Sequence, residues 1–171
     1  SNFSQQKRDN LVQDLYSQYD EAGIDLTKSV EVKTNIDKLK ELNTFTITTG
    51  QQIHLGLGPL FVLYKIFDVI AISRQLIEKY ADKQFVPVFW MATEDHDLDE
   101  ISSVNYYGNQ VKWNTNQSGA VGRMNTEGVA EMFYKLIKTQ RFSEAQREFL
   151  NRAAQVYHES QNLSVAFRRL L

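Results

Sequence analysis

Residues 49–60 read TGQQIHLGLGPL. The β-branched run Thr46-Ile47-Thr48-Thr49 leads into this stretch, and a long apolar run leaves it at Leu60. Three glycines, two adjacent glutamines, a histidine and a proline are concentrated between the two runs. A plain connection between a strand and a helix takes about two to six residues and one turn residue. This one is longer and richer, which predicts that it holds a ligand as well as turning the chain.

The flanks set the fold class. Residues 44–48 predict a strand. Pro59 suits the first position of a helix, where its missing N–H costs no hydrogen bond. Over residues 60–80 apolar side chains almost encircle the helix. Leu60, Leu63, Phe67, Ile70 and Ile77 form one stripe, widened by Val62, Ile66, Val69 and Ile72. A helix of that kind is expected to be packed on more than one side. Asp82-Lys83 interrupts the pattern, and 85–91, FVPVFWM, is a continuous apolar run. Such a run predicts a parallel strand covered on both faces. Strand, helix and strand in this order predict a right-handed βαβ unit and an α/β fold.

The remaining elements follow from periodicity and capping. Ser4 is a candidate N-cap for a helix over 6–19, which Gly23 would end. A second helix is predicted over 28–42, with Val32, Ile36, Leu39 and Leu42 on one side. ATEDHDLDEI (92–101) reads as a loop entering a short helical turn. Residues 104–107 and 110–113 flank Gly108-Asn109 and predict a β-hairpin. Residues 117–123 read as a loop, and helices are expected over 126–138, 143–160 and from 164 onward. Ser143 with Gln146 forms a capping box. By segment, 1–42 would be N-terminal helices packing on a core. Residues 43–123 would be the first half of that core with its hairpin, and 124–171 the start of a helical insertion or connective domain.

Composition narrows the functional classes. The 171 residues are 42% hydrophobic, enough for a real core, and carry 19 basic and 21 acidic residues for a net charge of −2. A field that small recruits neither nucleic acid nor an anionic membrane. Cysteine is absent, which excludes disulfides, thiolate metal sites and a cysteine nucleophile and fits a cytoplasmic protein. The first twenty residues lack the apolar core of a signal peptide. The most apolar window, 60–72, contains Lys65 and Asp68 and is too short to span a bilayer.

Two segments could carry chemistry. A loop that leaves a buried strand and enters a helix through Gly56, Gly58 and Pro59 lets backbone N–H groups approach an anion, with roughly half a positive charge from the helix terminus. It matches neither the Walker loop nor the dinucleotide fingerprint. His54-Leu55-Gly56-Leu57 echoes the HxGH tetrad of class I nucleotidyltransferases, with Leu57 in place of the second histidine. The alternative is a sharp strand-to-helix turn with a capped helix. The second segment is Glu94-Asp95-His96-Asp97-Leu98-Asp99-Glu100 at the end of the second strand, the sheet edge where open α/β folds bind ligands. Its five carboxylates and one imidazole could bind Mg²⁺ or orient an amine, with His96 as general base. The alternative is an acidic helix N-terminus favoured by the macrodipole, which accounts for Asp97, Asp99 and Glu100 better than for His96. Arg123, in GAVGRM (119–124), is a candidate anion clamp beside the alternative of a surface arginine. Lys65 and Asp68 either pair with each other or reach the crevice. His158 and the Tyr106-Tyr107 pair read as structural.

TTGQQIHLGLGPLFVLYK, PVFWMATEDHDLDEI and GAVGR, in this order and spacing, resemble the bacillithiol-biosynthesis cysteine-adding enzyme family. The resemblance runs over most of the chain but covers only the N-terminal part of the family. It implies a Rossmann-like core similar to class I nucleotidyltransferases, a connective-peptide helical domain, and a long coiled coil that helps form a homodimer. The implied reaction is a ligation. The carboxylate of cysteine forms an amide with the amine of glucosaminyl-malate, after ATP, with Mg²⁺ beside it, activates the carboxylate as an acyl-adenylate. By resemblance the catalytic residues are His96, Asp95 and Asp97, and the substrate and nucleotide residues are Thr49, Gly50, Gln51, Gln52, Gly58, Glu94 and Arg123. No residue is assigned as a ligand of a resident metal. Many members have glycine where this chain has His54, so His54 takes no role from the family.

Two other classes compete with the ligase: a metal-dependent phosphohydrolase built on the EDHD segment, and a non-catalytic α/β interaction module. The former needs a second His or Asp cluster. If the chain holds only half of a Rossmann-like core, Phe67, Phe89 or Trp90 is expected to be partly exposed or covered by a second copy, and the chain alone is expected to be inactive.

Overall fold

The computed structural model describes residues 3–106 and 108–171, with Tyr107 of the expected hairpin outside them. Two compact units emerge: Ser1–Gly50 with Tyr64–Trp90, and Gln51–Leu63 with Met91–Leu171.

In the first unit α1 (Gln5–Glu21) starts at the expected cap, where the Ser4 hydroxyl accepts from the Lys7 N–H. Its C-terminus closes at Gly23. The Gly23 N–H bonds to Asp20 O at 2.8 Å and the Ile24 N–H to Tyr19 O at 3.0 Å, which satisfies carbonyls the helix leaves over. The second helix, α2 (Val30–Lys38), is shorter than the periodicity predicts. From Leu39 to Glu41 each N–H bonds three residues back instead of four, so the chain tightens into turns before the sheet. Tyr16 Oη donates to Asp37 Oδ1 at 2.6 Å and ties α1 to α2. That hydrogen bond, followed by the Lys33 ammonium, holds the Asp37 carboxyl below its usual range.

Next come β1 (Thr44–Gln51), α3 (Leu60–Lys79) and β2 (Gln84–Met91). The two strands form one sheet. The Gln84 N–H donates to Asn43 O at 3.0 Å and the Ala92 N–H to Gln51 O at 3.1 Å. The sequence offset is the same at both ends, which makes the pair parallel. Thus β1 runs past residue 48 through Thr49-Gly50-Gln51, because β2 supplies backbone partners that far. Gly50 permits this, since a Cβ there would lie 3.3 Å from both Trp90 Cβ and Trp90 O. Val86 packs with Val12, Ile36 and Leu39 into a core, with Leu15, Tyr19 and Val88 partly buried around it. Phe45 and Phe85 stack at 5.9 Å.

The buried stripe of α3 is not the predicted one. Val62, Val69 and Ser73 are buried, whereas Leu60, Phe67 and Ile77 are exposed. Nor is β2 covered throughout: Phe67 and Trp90 are each 61% exposed, which meets the expectation that part of this apolar surface lies open. A sheet of two strands cannot cover both faces of a helix as apolar as α3.

In the second unit, a 3-10 turn at Leu55–Leu57 is followed after β2 by α4 (Leu98–Ile101), β3 (Ser103–Tyr106) and β4 (Asn109–Lys112). The hairpin register pairs Tyr106 with Asn109, so the turn precedes Asn109 instead of including it. A 3-10 turn at Val121–Arg123 interrupts the expected loop. Then come α5 (Val129–Thr139), α6 (Glu144–Glu159) and α7 (Leu163–Leu170). The N-cap of α5 is Gly128 in a left-handed conformation, so the helix begins later than position 126. α6 carries the expected Ser143–Gln146 capping box. α7 is capped by Asn162. α6 packs on α5 and α7, and α7 also touches both 3-10 turns. Phe133 and Tyr157 stack at 5.5 Å, and Trp113 is buried with its indole N–H donating to Glu127 O at 2.8 Å.

Arg8 is the polar pin of the first unit. It is buried, and its guanidinium donates to Leu39 O at 3.0 Å and to Thr44 O at 3.2 Å, joining α1 to the entry of β1. Replacing it strands two carbonyls, so Arg8→Ala is expected to lower unfolding stability by roughly 2–4 kcal/mol, read from urea denaturation. A change within about 0.5 kcal/mol would show that water takes over both acceptors.

Candidate active-site groove

The Thr93–Glu100 segment leaves β2 and is shaped by its own short side chains. Asp95 Oδ1 accepts from the Asp97 N–H at 3.0 Å, and Asp97 Oδ1 caps α4 by accepting from the Glu100 N–H at 3.0 Å. Two of the carboxylates therefore hold the local backbone. His96 lies between them and is exposed, as is Glu94.

The 3-10 turn at 121–123 meets this segment through its backbone. The Val121 N–H donates to Asp95 O at 2.7 Å and the Gly122 N–H to Thr93 O at 2.9 Å. Ser164 Oγ, in the first turn of α7, donates to Gly122 O at 2.8 Å. There is no room for a side chain at Gly122: a Cβ would lie 2.4 Å from Thr93 Cβ and 2.4 Å from Ser164 Oγ. Arg123 is exposed, while Gly122 beside it is a buried close-approach point, a role that one isolated glycine does not advertise.

A groove of about 790 Å³ results, with Glu94, His96 and Arg123 on its walls together with Asn116, Gly122 and Ser164. The candidate base, one candidate carboxylate and the candidate anion clamp thus share one cavity, whereas the 49–58 loop, expected to line one cleft with His96, does not line it. The groove is open and mainly polar-lined, able to admit an anionic group at the guanidinium and an amine near Glu94 and His96.

The 52–58 loop reaches the same segment by another side. Gln52 Nε2 donates to Asp97 O at 3.2 Å. His54 is buried, and its Nε2 lies 3.6 Å from Glu100 Oε1 without a hydrogen bond. Gly56 N–H donates to Tyr157 Oη at 3.1 Å, and Gly58 N–H to Leu55 O at 3.3 Å, so both glycine amides are engaged within the fold. Burial pushes the Tyr157 phenol far up, which keeps it a neutral partner. Gly58 has φ 68° and abuts His54: a Cβ would lie 2.6 Å from His54 Cβ. None of residues 51–58 lines the groove. Thr49 and Gly50 belong to β1, and Lys65 Nζ donates to Gly50 O at 3.4 Å. Among the described residues no three His, Asp or Glu side chains converge to hold a metal.

Burial lowers the His54 pKa from its ordinary value, with the Glu100 carboxylate opposing the shift. A depressed pKa means the folded state takes up a proton later than the unfolded chain does. The contribution to stability is therefore full above the unfolded value of about 6.5 and is lost as pH falls through the folded pKa. His54→Gln is expected to flatten the fall in unfolding free energy between about pH 7 and 5; equal slopes in the two proteins would remove His54 from the titration. At the close-approach point, Gly122→Ala is expected to cost about 1–3 kcal/mol or more, visible as a lowered melting temperature, whereas an unchanged melting temperature would mean that Thr93 and Ser164 yield freely.

The chain is similar in sequence to known proteins. The family model described as Bacillithiol biosynthesis BshC, N-terminal Rossmann-like domain, matches residues 1–171. A Flavobacterium johnsoniae protein named "Putative cysteine ligase BshC" is 48% identical over 131 residues, 77% of this chain and 24% of the relative. A protein of the same name from Christiangramia forsetii is 43% identical over 166 residues, 94% of this chain and 30% of the relative. One from Salinibacter ruber is 30% identical over 175 residues, 96% of this chain and 30% of the relative. The chain therefore spans between about a quarter and a third of the length of these relatives. Among the described residues no helix is long and apolar enough to cross a membrane. The chain belongs to the BshC family of bacillithiol biosynthesis, as its N-terminal Rossmann-like domain.

Proposed function

We propose that this chain is the N-terminal part of a ligase that joins the carboxyl group of cysteine to the amine of glucosaminyl-malate. The observation that carries the reading is the meeting of Glu94, His96 and Arg123 on one groove at the end of a parallel strand. A free carboxylate resists attack by an amine because it has no good leaving group; ATP supplies the activation. Within this chain Arg123 would bind the anionic part of the activated substrate, since a guanidinium makes paired hydrogen bonds to carboxylate or phosphate. Glu94 would orient the incoming neutral amine by accepting a hydrogen bond from it. His96 would take the proton the nitrogen loses as the amide forms. Asp95 and Asp97 would act on His96 indirectly, through the turn and cap that fix its backbone. Gln51, Gln52 and Gly58 shape the approach to α3, and Gln52 supports the backbone of Asp97. The donor set suits Mg²⁺ that arrives with nucleotide phosphates and takes one or two carboxylates, Glu94 among them, with water completing its shell.

In the intact enzyme Arg123→Ala should raise KM for the anionic substrate roughly tenfold or more, the loss of one charge-assisted hydrogen bond. His96→Ala should lower kcat by about 10²–10⁴-fold. Unchanged kinetics in both variants would remove the groove from the chemistry. The 171-residue chain alone is expected to show no turnover with ATP, cysteine and glucosaminyl-malate; a rate on the order of 1 per second or more would overturn the view that further chain completes the site.

A further inference from the structure

A second, smaller cavity of about 390 Å³ lies beside the groove and shares Asn116 with it. Its walls come from α4 and from the chain leaving β4, chiefly Asp99, Ser102, Lys112, Asn114 and Asn116. The volume lies within the range of about 300–1,000 Å³ typical of small-molecule sites.

Two observations give this cavity a chemical preference. At its rim Lys112 Nζ and Asp99 Oδ1 stand 2.8 Å apart, and both side chains are open to solvent, at 52% and 87%. The Lys112 ammonium holds the Asp99 carboxyl below its usual range. An exposed pair like this adds little to stability, so each member can exchange its partner at small cost. In its wall Ser102 is fully buried, and its Oγ has no hydrogen-bond partner. An orphaned buried hydroxyl is unfavourable until something supplies its missing bond. A carboxylate and an ammonium side by side complement a molecule carrying both charges in the opposite order. The unpaired hydroxyl and the two asparagines offer neutral donors and acceptors for the rest of it.

We propose that this cavity binds a free zwitterionic α-amino acid, its ammonium on Asp99 and its carboxylate on Lys112, with Ser102 Oγ bonding to the bound molecule. The assignment deepens the ligase reading and rests on it only for the choice of cysteine. It places the amino-acid substrate next to the groove, with Asn116 between the two.

The test needs no turnover. Amide resonances of the chain are followed by NMR while L-cysteine is added, then L-serine, cysteamine (no carboxylate) and 3-mercaptopropionate (no amine). Expected are saturable shifts at Ser102, Trp113 and Asn114 with both amino acids, and affinities at least about tenfold weaker for the two truncated molecules. Asp99→Asn and Lys112→Met, both on exposed side chains, should each weaken L-cysteine about tenfold, and Ser102→Ala should weaken it with the fold intact. Shifts confined to Glu94, His96 and Arg123, equal affinity for the truncated molecules, or no saturable shift at all would overturn the proposal. Binding as expected in an intact enzyme that lacks ligase turnover would sink the ligase reading and leave the amino-acid site standing.

Discussion

Gly122 is the point on which the second unit depends. Its N–H is spent on Thr93 O and its carbonyl on Ser164 Oγ, and its missing side chain is the space those two neighbours occupy. Three separate stretches of chain, the exit of β2, the 121–123 turn and the start of α7, are thereby held at backbone distance. Arg123 follows directly and leaves this point toward the groove that also holds His96 and Glu94. The candidate chemistry is placed by main-chain hydrogen bonds, which tolerate little displacement, and the long side chains are left free to meet substrate.

The other glycines near the site solve different problems. Gly50 lets Trp90 lie close across β1. Gly58 combines a left-handed backbone with the nearness of the His54 ring. Between Gly56 and Gly58 even Leu57 has a positive φ, 67°, which costs a residue with a side chain roughly 1–2 kcal/mol. Such strain persists only where the surroundings impose it. Here Gly56 is anchored to Tyr157, whose ring is stacked on Phe133, so α5 and α6 set the shape of the loop entering α3.

The legible parts of the sequence were those with a local cause. The alternation at 44–48, the apolar run at 85–91 and the helix between them gave a parallel βαβ unit because each signal is contained in its own segment. Ser4, Ser143 and Gly23 marked helix ends for the same reason. What could not be read depended on partners distant in sequence. Residues 49–51 are strand only because β2 extends beside them. The stripe of α3 that is buried is selected by what packs on it, and a helix apolar on nearly all sides does not disclose that choice. The hairpin slipped by one residue because Gly108-Asn109 is a good turn signal, yet Tyr106 pairs with Asn109. In the site, His96, Glu94 and Arg123 were readable as chemistry-bearing types. Gly122 and the engaged amide of Gly56 were not, since their partners Thr93, Ser164 and Tyr157 lie about thirty to a hundred positions away in sequence.

The distribution of unsatisfied polar atoms adds a last constraint. Among the described residues the second unit has two buried side-chain atoms without hydrogen-bond partners, His54 Nε2 and Ser102 Oγ. Both belong to the surroundings of the four-residue helix α4: His54 faces Glu100 at 3.6 Å, and Ser102 is the C-cap that ends the helix. Folding selects against such atoms, because each costs about 1–3 kcal/mol relative to a bonded one. A helix of one turn contributes little cooperative stability to offset them. Three further such atoms, Arg8 Nε, Thr44 Oγ1 and Ser73 Oγ, lie in the first unit, so unsatisfied atoms are not confined to the surroundings of α4. Of the two around α4, His54 lines neither cavity and Ser102 lines the smaller one, so the Ser102 hydroxyl is the one placed to meet a ligand.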